Sequence, residues 1–171
     1  MVNGKSKGSS FERDTCKFLT KYFTGNDKPY VFWRSPSSGA IGISSPNASG
    51  DIIALDEKYM WFTDKFNLEL KTGYADADFH KHFKDNKNNT IEDFWIQCQK
   101  DAKLKNKYGI LIFRKKGYQT IIGIQEDIFL QLKTFPTKYM LVSFLEMPKI
   151  VFFDFNKFFE IVKPEHLQAI K

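Results

Sequence analysis

Helical and strand patterns alternate along this chain, which predicts an α/β fold, a mixed β-sheet flanked by helices. Two observations carry the prediction. The order runs helix, three strands, helix, strand, and the strands are short apolar runs bounded by turn residues. At 171 residues and 42% hydrophobic content, the chain has the size and core of one ordinary domain.

Residues 1–9 are polar and read as a flexible basic arm ahead of a domain spanning 10–171. Ser9 or Ser10 then opens a helix, because Phe11, Thr15, Phe18, Leu19 and Tyr22 recur at spacings of three and four. Gly25, Asn26 and Asp27 stop it. Tyr30 to Trp33 form a short buried strand ending at Arg34-Ser35-Pro36. Residues 35–50, rich in Ser, Gly, Pro and Asn, read as a loop. Asp51 to Leu55 is a second strand, Asp56-Glu57-Lys58 a turn, and Phe66 to Lys71 the third clear strand. Residues 74–90 are polar and irregular. A helix is expected from Ile91 to Lys107, stopped by Tyr108-Gly109, and then strands at 110–113 and 120–124.

The last third, 125–171, reads as an extension. It should hold a short helix at 126–132, strands at 139–145 and 150–155, and a helical turn at 156–162. Phe152, Phe153, Phe155, Phe158 and Phe159 are most simply core. Insertion into a DNA base step is the alternative for them.

The bulk properties exclude several classes. No apolar run approaches the ~20 residues that span a bilayer, and the polar start is no signal peptide, so a cytoplasmic protein is expected. Cys16 and Cys98 are too few for a disulfide framework and lack zinc-site spacing; buried reduced thiols are expected. The net charge of +6 and pI near 9.2 are compatible with a polyanionic partner. Lys100, Lys103, Lys105 and Lys107 cluster at the end of the second long helix. The helix dipole accounts for them; a patch that tracks phosphates is the sharper alternative. His80 and His82 lie in a polar stretch with no third ligand nearby. No phosphate-binding glycine loop, nucleophile elbow or dinucleotide fingerprint is present.

An acid-x-base triplet is cheap, since about three are expected by chance in a chain so charged. Asp56/Lys58, Asp85/Lys87 and Asp101/Lys103 fall where charges are readily solvated. Glu69/Lys71 differs in its setting. In a strand, Leu68 and Leu70 take one face while Glu69 and Lys71 share the other, and charge on a central strand is expensive without a reason. A structural ion pair would be one reason. Asp51 supplies another: if strands 51–55 and 66–71 were antiparallel neighbours, its carboxylate would approach Glu69 and Lys71. Two carboxylates so placed repel unless a cation joins them, and oxygen ligands of this kind suit Mg²⁺.

Gly50-Asp51 followed by Glu69-Leu70-Lys71 resembles the PD-(D/E)xK nuclease signature, with Gly where Pro is common. Further elements resemble the archaeal and phage-type Holliday-junction resolvases of that superfamily. These are Phe11-Glu12-Arg13 on an early helix, the loop Arg34-Ser35-Pro36-Ser37-Ser38-Gly39, and Trp95-Ile96-Gln97 with Ala102 on a later helix. The likeness covers residues 8 to about 124, the core, and it implies a restriction-endonuclease-like fold.

The resemblance also implies roles. Asp51, Glu69 and the Leu70 carbonyl would hold the metal, Mg²⁺ with Mn²⁺ able to replace it, and Glu12 would complete the site. Lys71 would act beside the attacking water, and Gln97, or its neighbour Gln99, would support the site. Arg34 and Ser38 would contact phosphate. The expected activity is metal-dependent DNA cleavage, selective for branched DNA, by a homodimer whose surface includes the C-terminal aromatic segment. A restriction- or recombination-type nuclease on linear DNA, or an inactive DNA-binding module, is the competing reading.

Overall fold

The computed structural model describes residues 4–35, 50–75, 77, 79 and 90–171. The first helix, α1, runs Gly4–Thr24, so residues 4–9, expected in the basic arm, are already helical. Strands β1 (Phe32–Arg34) and β2 (Ile52–Ala54) pair antiparallel as a small two-stranded unit. Helix α2 (Glu57–Lys65) follows, then β3 (Phe66–Thr72), α3 (Thr90–Leu104), β4 (Tyr108–Arg114) and β5 (Ile121–Gln125). The extension contributes α4 (Glu126–Gln131), β6 (Met140–Val142), β7 (Ile150–Asp154), α5 (Phe155–Ile161) and α6 (Pro164–Gln168). The chain is thus α/β, with a five-stranded mixed sheet in the order β3-β4-β5-β7-β6.

Only β3 and β4 are parallel; the other ladders are antiparallel. A parallel pair needs a long crossover, and α3 lies within it. Strand alternation then sorts the side chains. Leu68, Leu70, Ile110 and Ile112 pack with Phe11, Cys16 and Leu19 of α1 on one face. Leu111 and Phe113 pack with Phe94, Trp95 and Cys98 of α3 on the other. Glu69 stands opposite Leu111 and Lys71 opposite Phe113 in the β3–β4 register, so the two charges share the α3 face.

Three further expectations are corrected. The Asp56-Glu57-Lys58 turn is the start of α2: Asp56 Oδ1 accepts from Lys58 N at 2.9 Å, and Tyr59, Phe62, Thr63 and Phe66 repeat at helical spacing. With α2 between them, β2 and β3 do not form an antiparallel ladder; Asp51 N donates to Leu68 O at 2.8 Å where the two units meet. Finally, α3 ends at Leu104 rather than Lys107. Asn106 takes a left-handed φ of 54°, which Asn tolerates better than most residues, and Lys107 N returns to Ala102 O at 2.9 Å.

The extension closes onto the first half of the chain. Phe18 of α1 meets Phe155 and Phe159 with ring centroids 4.6 and 5.2 Å apart, and Tyr22 Oη donates to Val162 O at 2.7 Å. Phe152, Phe153, Phe155, Phe158 and Phe159 are all buried. That removes them both as wedges into DNA and as a dimer surface. Cys16 and Cys98 are free and buried, as expected. Among the described residues no helix is long and apolar enough to cross a membrane.

Candidate active site

Gly50 makes the approach of Asp51 to the sheet possible. Its φ is +76°, and a Cβ built there would lie 2.6 Å from Leu68 O. Only glycine lets the chain run this close to β3 in that conformation. The result is a double contact: Asp51 N donates to Leu68 O, and Leu70 N donates to Asp51 Oδ2 at 2.7 Å. The Asp51 carboxylate is therefore fixed between Glu69 and Lys71 in sequence, by backbone rather than by side chains.

Glu69 is 5% exposed. Its Oε1 lies 2.6 Å from Lys71 Nζ. Lys71 Nζ also donates to Gln97 Oε1 of α3 at 2.9 Å and stands over the Phe94 ring, 5.4 Å from its centroid. Phe94 and Gln97 are three apart on one helix face, so α3 meets Lys71 through both. Gln99, the other candidate for the supporting role, turns elsewhere. It is buried, and its Oε1 accepts from Gln125 Nε2 of β5 at 2.8 Å.

Burial and like charge act together on the two carboxylates. Desolvation, then the nearby Glu69 charge, push Asp51 from its ordinary 3.8 up to about 7, although the Leu70 N–H pulls the other way. Glu69 is also raised, by burial first, against the opposing pull of Lys71. For Lys71, burial favours the neutral amine, but the Glu69 hydrogen bond and charge outweigh it and the ammonium is held above its usual range. A buried Glu69 and a partly buried Asp51 thus lie in the field of one partly buried base, Lys71.

That imbalance suits a cation. Among the described residues no three His, Cys, Asp or Glu side chains gather to hold a metal. The oxygen donors here are the Asp51 and Glu69 carboxylates and, as the resemblance implies, the Leu70 carbonyl. Mg²⁺ commonly takes one or two carboxylates and leaves its other positions to water and phosphate, so this donor set fits it.

Glu12 and Arg34, expected in different roles, are each other's partner. Arg34 Nε donates to Glu12 Oε2 between α1 and the end of β1, with both side chains largely buried. Glu12 adds to the negative field at Asp51 and Glu69. Ser38, His80 and His82 lie outside the described residues. Asn67, two residues before Glu69 and on the same face, is fully buried with neither amide atom partnered; the sequence analysis passed over it, since an Asn in a strand carries no signature of its own.

No curated protein and no solved structure matches the chain. Residues 3–169 match the family described as "Phage putative PDDEXK endonuclease". The match takes in the extension as well as the core, and the chain therefore belongs to this phage PDDEXK endonuclease family, of the PD-(D/E)xK nuclease superfamily.

Proposed function

We propose that the protein is a Mg²⁺-dependent DNA endonuclease, selective for branched DNA in the manner of Holliday-junction resolvases. The observation that carries the catalytic part is the clamp of Asp51 onto β3 at Leu70, which brings two acids and Lys71 to one edge of the sheet.

Asp51, Glu69 and the Leu70 carbonyl would hold the cation. When bound there, Mg²⁺ supplies neutralising charge at the scissile phosphate and lowers the pKa of water. Lys71 is positioned by Gln97 and Phe94, and its ammonium offsets charge that develops on the phosphate. Glu69 is the residue it pairs with before substrate arrives. Arg34, on the strand that enters the 36–49 segment, supplies a guanidinium for backbone phosphate, with Glu12 orienting it. Glu12 itself would reach the cation only through water. Ser38 is carried as a phosphate contact on the likeness of the Arg34–Gly39 loop alone. Mn²⁺ should replace Mg²⁺, since both favour oxygen ligands.

Preference for a junction rests on that same loop likeness. Paired cuts need two active sites, so a homodimer follows from it. The exposed edge strand β6, with Met140 and Leu141 each more than two-fifths exposed, is the surface we assign to it, in place of the buried phenylalanines. Linear-DNA cleavage of the restriction or recombination kind uses the same core and is the second reading.

The test is cleavage of an end-labelled four-way junction and its matching linear duplex, with Mg²⁺ or EDTA. We expect paired nicks on the junction, abolished by EDTA and reduced at least about a hundredfold in Glu69→Ala. Equal cutting of the linear duplex would move the function to the second reading. No metal-dependent cutting of either would leave a DNA-binding module.

A further inference from the structure

The C-terminal half of α3 carries a second polar site, on a different face from Gln97. Ile96, Gln99, Lys100 and Lys103 recur at spacings of three and four, one face of the helix. Together with Gln125 of β5 and the Glu146 loop they line a cavity of about 530 Å³, within the range of small-ligand sites.

Its wall is unusual chemically. Gly109 leaves room for the Gln99 amide, because a Cβ there would lie 2.4 Å from Gln99 Nε2. In the antiparallel β4–β5 register Ile110 pairs with Ile124, which sets Gln125 beside the end of β4 that holds Gly109, and the two amides meet through one hydrogen bond, Gln125 Nε2 to Gln99 Oε1. The complementary atoms, Gln99 Nε2 and Gln125 Oε1, are buried and have no partner. A buried donor and acceptor left open are costly. The helix dipole accounts for lysines near this end of α3, but it does not account for two orphaned amide atoms buried in the wall behind the cavity.

We propose that this cavity binds an adenine nucleotide, with the base on the Gln99–Gln125 pair and its phosphate on Lys100 and Lys103. An unpartnered amide oxygen and an unpartnered amide N–H are the groups that complement the adenine N6 amine and N7. The last torsion of a Gln side chain is broad and soft, so both groups can turn from the wall to the ligand. Lys100 and Lys103 are exposed, whereas Lys107 is engaged with Thr63 O at 2.7 Å and is left out. From Gln97 to Lys103 the helix advances roughly 9 Å, so an unpaired adenine of a bound strand and a free nucleotide are both possible sources. Binding itself needs neither the cation nor Glu69.

The first probe is AMP, titrated in EDTA into the ¹⁵N-labelled protein and into Glu69→Gln, so that failure of the nuclease reading leaves the result intact. CMP and inorganic phosphate serve as controls. We expect amide shifts confined to Gln99, Lys103, Gln125 and Met147, and AMP binding at least about tenfold tighter than CMP. Lys100→Ala/Lys103→Ala should weaken AMP about tenfold, and Gln125→Leu should erase the preference over CMP. The shift map on the unaltered chain decides the matter should Gln125→Leu not fold. No shifts, shifts elsewhere, or equal response to AMP, CMP and phosphate would overturn the proposal. An oligonucleotide with one unpaired adenine, compared with one carrying cytosine there, distinguishes the sources. A matching shift pattern assigns the site to a strand, and its absence beside AMP binding assigns it to the free nucleotide.

Discussion

Asp51 sits where two effects oppose one another, and the balance makes its protonation a reporter for the site. In the cation-free protein its folded pKa, about 7, lies above the ordinary 3.8. The folded state therefore holds the proton more tightly than the unfolded chain does. The stability this contributes is fully present below pH 3.8 and is lost as pH rises through about 7. Asp51→Asn cannot ionise, yet its amide oxygen can still accept from Leu70 N. In EDTA, Asp51→Asn should match the wild type near pH 4 and exceed it at pH 8 by on the order of 2 kcal/mol. Denaturant titrations at the two pH values measure the gap; a constant gap would mean that Asp51 is not raised. Added Mg²⁺ should then stabilise the wild type alone.

Gly50 makes a second residue-scale prediction. Alanine there would need a left-handed φ, costing roughly 1–2 kcal/mol, and would press its Cβ against Leu68 O. Gly50→Ala should lower stability by at least about 2 kcal/mol and weaken cation-dependent cleavage even where the protein stays folded. Stability and activity close to wild type would show that the Asp51 clamp does not depend on the glycine. The pair Glu69/Lys71 was readable from sequence because a period of two puts both charges on one face of an otherwise apolar strand, where an ion pair or a site must account for them. The clamp was not, for it consists of backbone groups of Leu68 and Leu70 that any residue could supply.

At the scale of elements, the sequence concealed α2. Asp56-Glu57-Lys58 has turn composition, and the apolar stretch after it is short, so strand-turn-strand was the simpler reading. Here the capping chemistry prevails: Asp56 accepts from Lys58 N and begins a helix whose apolar side, Phe62 among it, is buried. Asp56→Ala should cost about 1 kcal/mol, read as a shift in the denaturation midpoint with an unchanged slope. No shift would mean that packing of Phe62, not the cap, holds α2. The amide pair of Gln99 and Gln125 was hidden for a related reason. It requires the β4–β5 register and a glycine at 109, and neither is visible until strands are aligned. By contrast β4 and β5 were legible, being apolar runs on either side of the turn at Lys115-Lys116-Gly117.

For the whole molecule, the open question is whether residues 10–124, which carry every candidate catalytic residue, fold without 125–171. The contacts argue against it. β7 pairs along β5 from Ile121 to Gln125, so removing the extension would expose the edge of β5 and the faces of Ile122 and Ile124. Lys65 Nζ donates to the carbonyls of Gln168 and Ile170 at 2.7 and 2.6 Å, tying the C-terminus to the end of α2, next to β3. The buried phenylalanines of 152–159 each contribute about 2 kcal/mol of apolar burial. Together that falls within the 5–15 kcal/mol by which a whole domain is ordinarily stable. A chain ending at residue 124 should therefore show no cooperative unfolding and no cation-dependent cleavage, while the full chain should unfold in one transition by both far-UV circular dichroism and tryptophan fluorescence. If the shortened chain instead melts cooperatively and still cuts DNA, the extension is a separate unit, and the packing of Phe155 and Phe159 on α1 is docking rather than core.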